Sequence, residues 1–242
     1  MTHEQQPFNP KRLFFFKDFL DLIFPQNCVS CGRNLFDWEL SLCGICKNKL
    51  PISSYHLRPT DNDLTQKLQG LCPVSRCISF LKFSRKGMSQ KLLHTLKYRN
   101  KPELGWVLGN LFGKILIETD FAASWDAIVP VPLHPQKLKR RGYNQSEEFA
   151  KGIAEVLDIS VENCLERRKW TETQTNKSRI ERIENVSGVF EIKNTAQILG
   201  KNLLLVDDVI TTGATLAASA TILWENGAKT VDLATIAAGG GY

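Results

Sequence analysis

The stretch 203–215 reads LLLVDDVITTGAT, and it limits the possible folds more than any other part of the chain. Leu203, Leu204, Leu205 and Val206 form an unbroken apolar run. Such a run suits a strand covered on both faces, as in a parallel sheet flanked by helices. Asp207 and Asp208 follow directly. On a continuing strand, neighbouring side chains point to opposite faces. One carboxylate would then enter apolar packing, at a cost of several kcal/mol unless it is paired. The strand is therefore expected to end at the aspartates, letting both leave the core. Thr211, Thr212, Gly213, Ala214 and Thr215 come next, offering three hydroxyls and a glycine that permits close backbone approach. They open a helix expected over 215–226 and closed by Gly227. Amides at a helix start carry unsatisfied donors and favour phosphate. Two outward carboxylates suit paired hydroxyls, such as a ribose diol, or a metal. Together the pieces read as a sugar-phosphate clamp. Neither GxxxxGK[ST] nor GxGxxG occurs here, so the P-loop and the dinucleotide fingerprint are excluded.

The flanking sequence supplies a matching frame. Strands are expected at Cys77–Phe83, 126–131 and 230–237. Helices are expected over 88–98 and beyond Pro102, where Leu104, Leu108, Leu111, Phe112 and Ile115 share a face. Phe149, Ile153 and Leu157 mark another. The order is α/β with a mostly parallel, twisted sheet flanked by helices. Hydrophobic residues make up 43% and charged residues 23%, as in soluble globular chains rather than disordered or membrane-spanning ones. No apolar run reaches the roughly 18 residues that a membrane helix needs. The most apolar segment, 13–24, is interrupted by Lys17, Asp18 and Asp21, and reads as an amphipathic helix packed on protein. No cleavage site for a signal peptide follows it. A net charge of +6 admits a nucleic-acid partner without requiring one.

Seven cysteines, an odd number, argue against a disulfide framework and for a reducing cytoplasmic setting. Four of them pair as C-x2-C motifs: Cys28 with Cys31, and Cys43 with Cys46. Each pair makes a knuckle, and two knuckles offer a closed tetrahedron of sulfur suited to structural zinc in a zinc-ribbon-like module. Redox-active CxxC pairs and buried thiols are the alternatives. Cys72, Cys77 and Cys164 lie outside this pattern and read as packed thiols. The chain thus divides into an N-terminal helix (1–24), a four-cysteine module (25–52), a connector (53–74) and an α/β domain (75–242).

Two further segments carry polar chemistry. Arg140, Arg141, Gly142, Asn144 and Gln145, with Lys137 and Lys139 before them, form a basic turn able to chelate an anion through planar guanidinium forks. A polar loop follows Leu165 and contains Arg167, Thr171, Gln174 and Arg182. It is long enough to cover a site. Ser178 and Glu181 form a capping box that starts a short helix there. A third basic group, Lys82, Arg85, Lys86, Lys91, Lys97, Arg99 and Lys101, surrounds Tyr98. It reads either as a solvated face or as a single-strand binding surface.

The clamp sequence resembles the phosphoribosyl pyrophosphate (PRPP) signature of type I phosphoribosyltransferases. With the cysteine module, the VPVPLH stretch, the 140–145 turn and the polar loop, the chain resembles the ComF family of late competence proteins. The resemblance runs from Phe24 to Ala237. Trp170, Lys177 and the glycines at 239–241 depart from the family pattern. It implies a type I phosphoribosyltransferase-like fold behind an N-terminal zinc module. It implies that Asp207 and Asp208 hold ribose hydroxyls, that 211–215 holds the 5′-phosphate, and that magnesium accompanies PRPP. It also implies a role in natural competence: DNA uptake, and single-stranded DNA binding together with the competence machinery on the cytoplasmic side. The alternative it carries is an active phosphoribosyltransferase of the amidophosphoribosyltransferase kind in nucleotide metabolism. No residue identifies itself as a general base.

Overall fold

A computed structural model describes residues 25–167 and 189–239 of the chain. Its strands are β1 Cys77–Phe83, β2 Ala127–Pro130, β3 Ser160–Val161, β4 Leu165–Arg167, β5 Phe190–Ile192, β6 Asn202–Ile210 and β7 Thr230–Gly239. Five form an all-parallel sheet in the order β1-β7-β6-β2-β3. β4 and β5 make a separate antiparallel pair. The helices are α1 Gly44–Asn48, α2 Asp63–Gln69, α3 Met88–Tyr98, α4 Pro102–Leu116, α5 Pro135–Arg141, α6 Gln145–Leu157 and α7 Ala214–Glu225. The expected N-terminal helix and the capping-box helix lie outside the described residues.

Helices cover both sheet faces, which explains the unbroken apolar run that enters β6. Leu204, Val206, Ala234 and Ile236 pack against α3, α4 and α6. Leu203, Leu205, Val231 and Leu233 pack against α2 and α7. The segment expected as a polar connector lies against the sheet: the Ser53 amide donates to the Phe80 carbonyl at 2.8 Å, and Leu64 and Leu68 of α2 are buried.

One expectation is corrected. β6 does not stop at Asp207 but continues to Ile210. β7 is long enough to keep pairing with it: Asp207 faces Thr235 and Ile210 faces Ala238 in register. On the other side β2 ends at Pro130 opposite Val206, so beyond that point β6 has lost one neighbour. The carboxylates are tolerated because each finds a partner, as described below.

This topology contains a switch point. After β2 the chain returns through α6 on one face and reaches β3 at one edge. After β6 it returns through α7 on the opposite face and reaches β7 on the other side. A crevice therefore opens at the carboxyl ends of adjacent strands β2 and β6, where ligands of such sheets bind. The loops leaving these strands are the basic turn and the threonine-glycine loop.

The position of α6 depends on direct backbone contact with α4. A Cβ on Gly109 would lie 2.1 Å from the Phe149 carbonyl oxygen, and one on Gly152 would lie 2.2 Å from that of Trp106. Neither obstacle is a flexible side chain. Gly152→Ala should therefore lower stability by about 3 kcal/mol, read as a Tm fall of roughly 6–12 °C. Gly70→Ala, where only the Lys67 carbonyl lies at 4.0 Å, should leave Tm nearly unchanged. Equal Tm values for the two variants would contradict the close crossing.

Candidate functional site

Asp207 and Asp208 sit at the crevice, and their environments differ. Asp207 Oδ1 accepts the Ser146 hydroxyl at 3.0 Å and the Asp208 amide at 2.8 Å. Burial, then the Asp208 charge beside it, pushes its carboxyl up to about 7 despite these bonds. Asp208 is paired instead: Lys97 Nζ, at the end of α3, lies 3.1 Å from Oδ1 and 3.0 Å from Oδ2. Ser146 escapes a reading of the sequence because nothing local links α6 to β6. The switch-point topology makes that link.

The loop after β6 is short. Gly213 has φ +86°, a left-handed conformation that favours glycine, and it caps α7. Its exposed neighbour Thr211 is held from below, its carbonyl accepting Lys67 Nζ of α2. No pattern in the sequence could link these residues across 144 positions. Thr212 Oγ1 reaches the Ala214 amide at 3.5 Å, and Thr215 lies in the first turn of α7.

The basic turn is partly helical. Arg140 and Arg141 end α5, and Gly142 at φ +82° closes it. Asn144 and Gln145 are buried and engaged with backbone. Asn144 Nδ2 donates to the Val131 carbonyl at 3.0 Å, and its Oδ1 caps α6 through the Ser146 amide. Gln145 Nε2 donates to the Leu96 carbonyl at 3.2 Å, which also accepts the Tyr143 hydroxyl. Gln145 Oε1 accepts Arg141 Nη1 at 2.8 Å. Asn144 and Gln145 therefore hold the turn, with Arg141 tied to Gln145 and Arg140 exposed.

These charges converge. Burial, followed by repulsion from Arg167, Arg141, Arg140 and Lys97, holds the Lys137 ammonium below its usual value. Burial also lowers Arg167, against the attraction of Asp207. Lys97, Lys137, Arg140, Arg141 and Arg167, from α3, α5 and β4, are thus within electrostatic reach of one another, with Arg167 also in reach of Asp207 and Lys97 paired to Asp208. Such a set is suited to holding an anion. Thr171, Gln174 and Arg182 lie outside the described residues.

In the N-terminal module, the sulfurs of Cys28, Cys31, Cys43 and Cys46 all lie within 4.8 Å of one another. Cys31 and Cys43 Sγ are 3.8 Å apart, about the edge of a tetrahedron with zinc–sulfur bonds of roughly 2.3 Å. The Cys43 amide points at Cys28 Sγ and the Cys46 amide at Cys43 Sγ, each at 3.4 Å. Burial opposes ionisation of Cys43. The Cys46 amide, Arg33 and the neighbouring cysteines outweigh it and bring the thiol down to about 6. Arg33 is anchored on Glu39 at 2.6 Å, and Glu39 accepts the Gly44 amide at 2.7 Å. Four soft ligands with directed N–H donors fit a structural metal such as zinc. Cys72, Cys77 and Cys164 are buried and belong to no such group among the described residues.

Comparison with known proteins identifies the family. A family model for the phosphoribosyl transferase domain matches residues 143–242. The DNA utilization protein YhgH of Shigella flexneri is 32% identical over 231 residues, covering 88% of this chain and 96% of that protein. Competence protein ComFC of Bacillus subtilis is 31% identical over 144 residues, 58% of this chain and 55% of that one. Competence protein F of Haemophilus influenzae is 34% identical over 110 residues, 45% and 48% of the two chains. The chain belongs to the ComF family. Its parallel sheet and flanking helices are the phosphoribosyltransferase-like part of that family, and its four cysteines form the N-terminal module. No helix among the described residues is long and apolar enough to cross a membrane.

Two measurements probe the site. The raised Asp207 carboxyl makes its ionisation oppose folding, so stability is lost as pH rises from about 3.8 through about 7. Asp207→Asn should match the parent in Tm near the low end and exceed it by several degrees at the high end. A constant difference across this range would show that the carboxyl titrates normally. In the module, one zinc per chain is expected by elemental analysis. A strong chelator should remove it and unfold the cysteine segment, and Cys46→Ser should reproduce that loss.

Proposed function

We propose that this protein handles single-stranded DNA during uptake in natural competence, on the cytoplasmic side, and carries a ribose-phosphate site at the carboxyl end of its sheet. The observation that carries the DNA reading is a groove of about 630 Å³ between the cysteine module and α3. Lys86, Lys91, His94, Arg99 and Lys101 line it, and no acidic residue does. Tyr98 is 62% exposed, packs against His94 with ring centroids 4.8 Å apart and planes tilted by 45°, and lies under Arg141 at 5.8 Å. Cations beside an exposed ring pair are what a flexible strand uses for its phosphates and bases. The names of the relatives, a DNA utilization protein and competence proteins, point the same way.

The sugar-phosphate reading rests on the converging cations opposite Asp207 and Asp208, with PRPP or a related sugar phosphate as ligand. A phosphate would lie on 211–215, and a diphosphate near Lys137, Arg140, Arg141 and Arg167. Magnesium would enter with a diphosphate.

A second reading, phosphoribosyl transfer, draws on a cavity of about 530 Å³ at the carboxyl ends of β1 and β7. Tyr55, Arg58, Asp63, Gln66 and Lys82 line it, at the same end of the sheet as the clamp, where an acceptor would sit. Release of pyrophosphate from PRPP with a base or amine would support that reading.

Fluorescence anisotropy with a labelled oligonucleotide tests the DNA reading. Binding should weaken with salt along a log–log slope of roughly −3 if about four phosphates are neutralised. Arg99→Glu with Lys101→Glu should weaken it by about tenfold or more. Absence of binding at low salt, or binding indifferent to these substitutions, would contradict the groove.

A further inference from the structure

Lys97 stands apart from the other basic residues of its segment. Lys86, Lys91, Arg99 and Lys101 line the groove beside the cysteine module, whereas Lys97 extends to the carboxyl edge of β6. Its ammonium contacts both oxygens of Asp208, at 3.1 and 3.0 Å. The ion pair is largely sheltered, with 23% and 14% of the two side chains exposed. In such surroundings an ammonium held by both oxygens is a strong local counter-charge.

The backbone at this point is fixed from the anion side. The Leu96 carbonyl, one residue before Lys97, accepts both the Tyr143 hydroxyl and Gln145 Nε2. These two residues flank Asn144 in the turn that follows Arg140 and Arg141. Lys97 is also close enough to Lys137 to disfavour its protonation. One ammonium is therefore tied to the acidic pair on one side and borders the anion-holding set on the other. Asp207 is occupied as well, its Oδ1 accepting both the Ser146 hydroxyl and the Asp208 amide.

A divalent cation approaching these carboxylates would meet a site already balanced. Magnesium needs near-octahedral oxygen ligands at about 2.1 Å and gives up its water reluctantly. To bind Asp208 directly it would have to displace Lys97 into a region already crowded with positive charge. A sugar hydroxyl faces no such conflict. It can donate to a carboxylate lone pair while Lys97 stays on the other side of the carboxylate.

We propose that Lys97 supplies, from within the chain, the positive charge that a divalent cation would otherwise bring to Asp207 and Asp208, so that a ribose 5-phosphate group binds without magnesium. Lys97 is then a ligand-positioning residue of the clamp, separate from the strand-binding groove. The inference rests on the ribose-phosphate reading above and adds the ionic requirement of that site.

Calorimetric titration with ribose 5-phosphate tests it, in excess EDTA and in millimolar magnesium. The parent protein should bind with the same affinity in both buffers. Lys97→Met should bind about tenfold more weakly in EDTA, and magnesium should restore most of the loss by taking the vacated place. Lys97→Arg should remain magnesium-independent, which separates lost charge from disturbed folding. Lys114→Met, on the far helix α4, should match the parent throughout. Parent binding that requires magnesium overturns the proposal, as does a Lys97→Met variant that equals the parent in EDTA. If the parent binds ribose 5-phosphate in neither buffer, the ribose-phosphate reading itself fails, and the inference with it.

Discussion

Two adjacent carboxylates stand near the middle of a parallel sheet, and the rest of the site exists to make them tolerable. Unpaired, such groups would destabilise β6 by several kcal/mol. The Ser146 hydroxyl comes to Asp207 from the start of α6, and the Lys97 ammonium comes to Asp208 from the end of α3. Each partner requires its helix at a set height against the sheet. The α4–α6 crossing, with glycine backbone against backbone, allows α6 to sit where Ser146 reaches Asp207. The Tyr143 and Gln145 bonds to Leu96 fix α3 where Lys97 reaches Asp208. Much of the packing on one face of the sheet can thus be traced to a charge-compensation problem on one strand.

The helix α3 also joins the two halves of the chain. Near its start Lys91 donates to the Ser30 carbonyl in the first cysteine knuckle, and near its end Lys97 meets Asp208. Its exposed flank forms one wall of the basic groove, and the cysteine module forms the other. A module too small for a core of its own is held by four convergent sulfurs. A folded module therefore shapes the groove wall as well as the segment around it.

Much of the fold was legible in the sequence, because it rests on local signals. The apolar run at 203–206, the spaced leucines of α4 and the paired C-x2-C motifs each state their structure within a few residues. The extent of β6 was not legible. Its continuation to Ile210 depends on β7 outlasting β2, and on Lys97 and Ser146 arriving from elsewhere. Lys67 under Thr211 is likewise a long-range contact without a local signal. The basic turn was visible as charge, but its division of labour was not. Asn144 and Gln145 read as anion ligands in a string of letters, whereas in the fold they hold the backbone on which the charges sit. The basic segment around Tyr98 read as one group, and helix geometry separates Lys97 from its neighbours.

In the proposed site, the acidic pair and the threonine-glycine loop hold the two ends of one phosphorylated sugar. A crystal structure with ribose 5-phosphate bound tests it most directly. The phosphate is expected on the amides of 211–215, and the sugar hydroxyls within hydrogen-bonding distance of Asp207 and Asp208. A phosphate seated elsewhere, or a sugar that leaves both aspartates untouched, would contradict it.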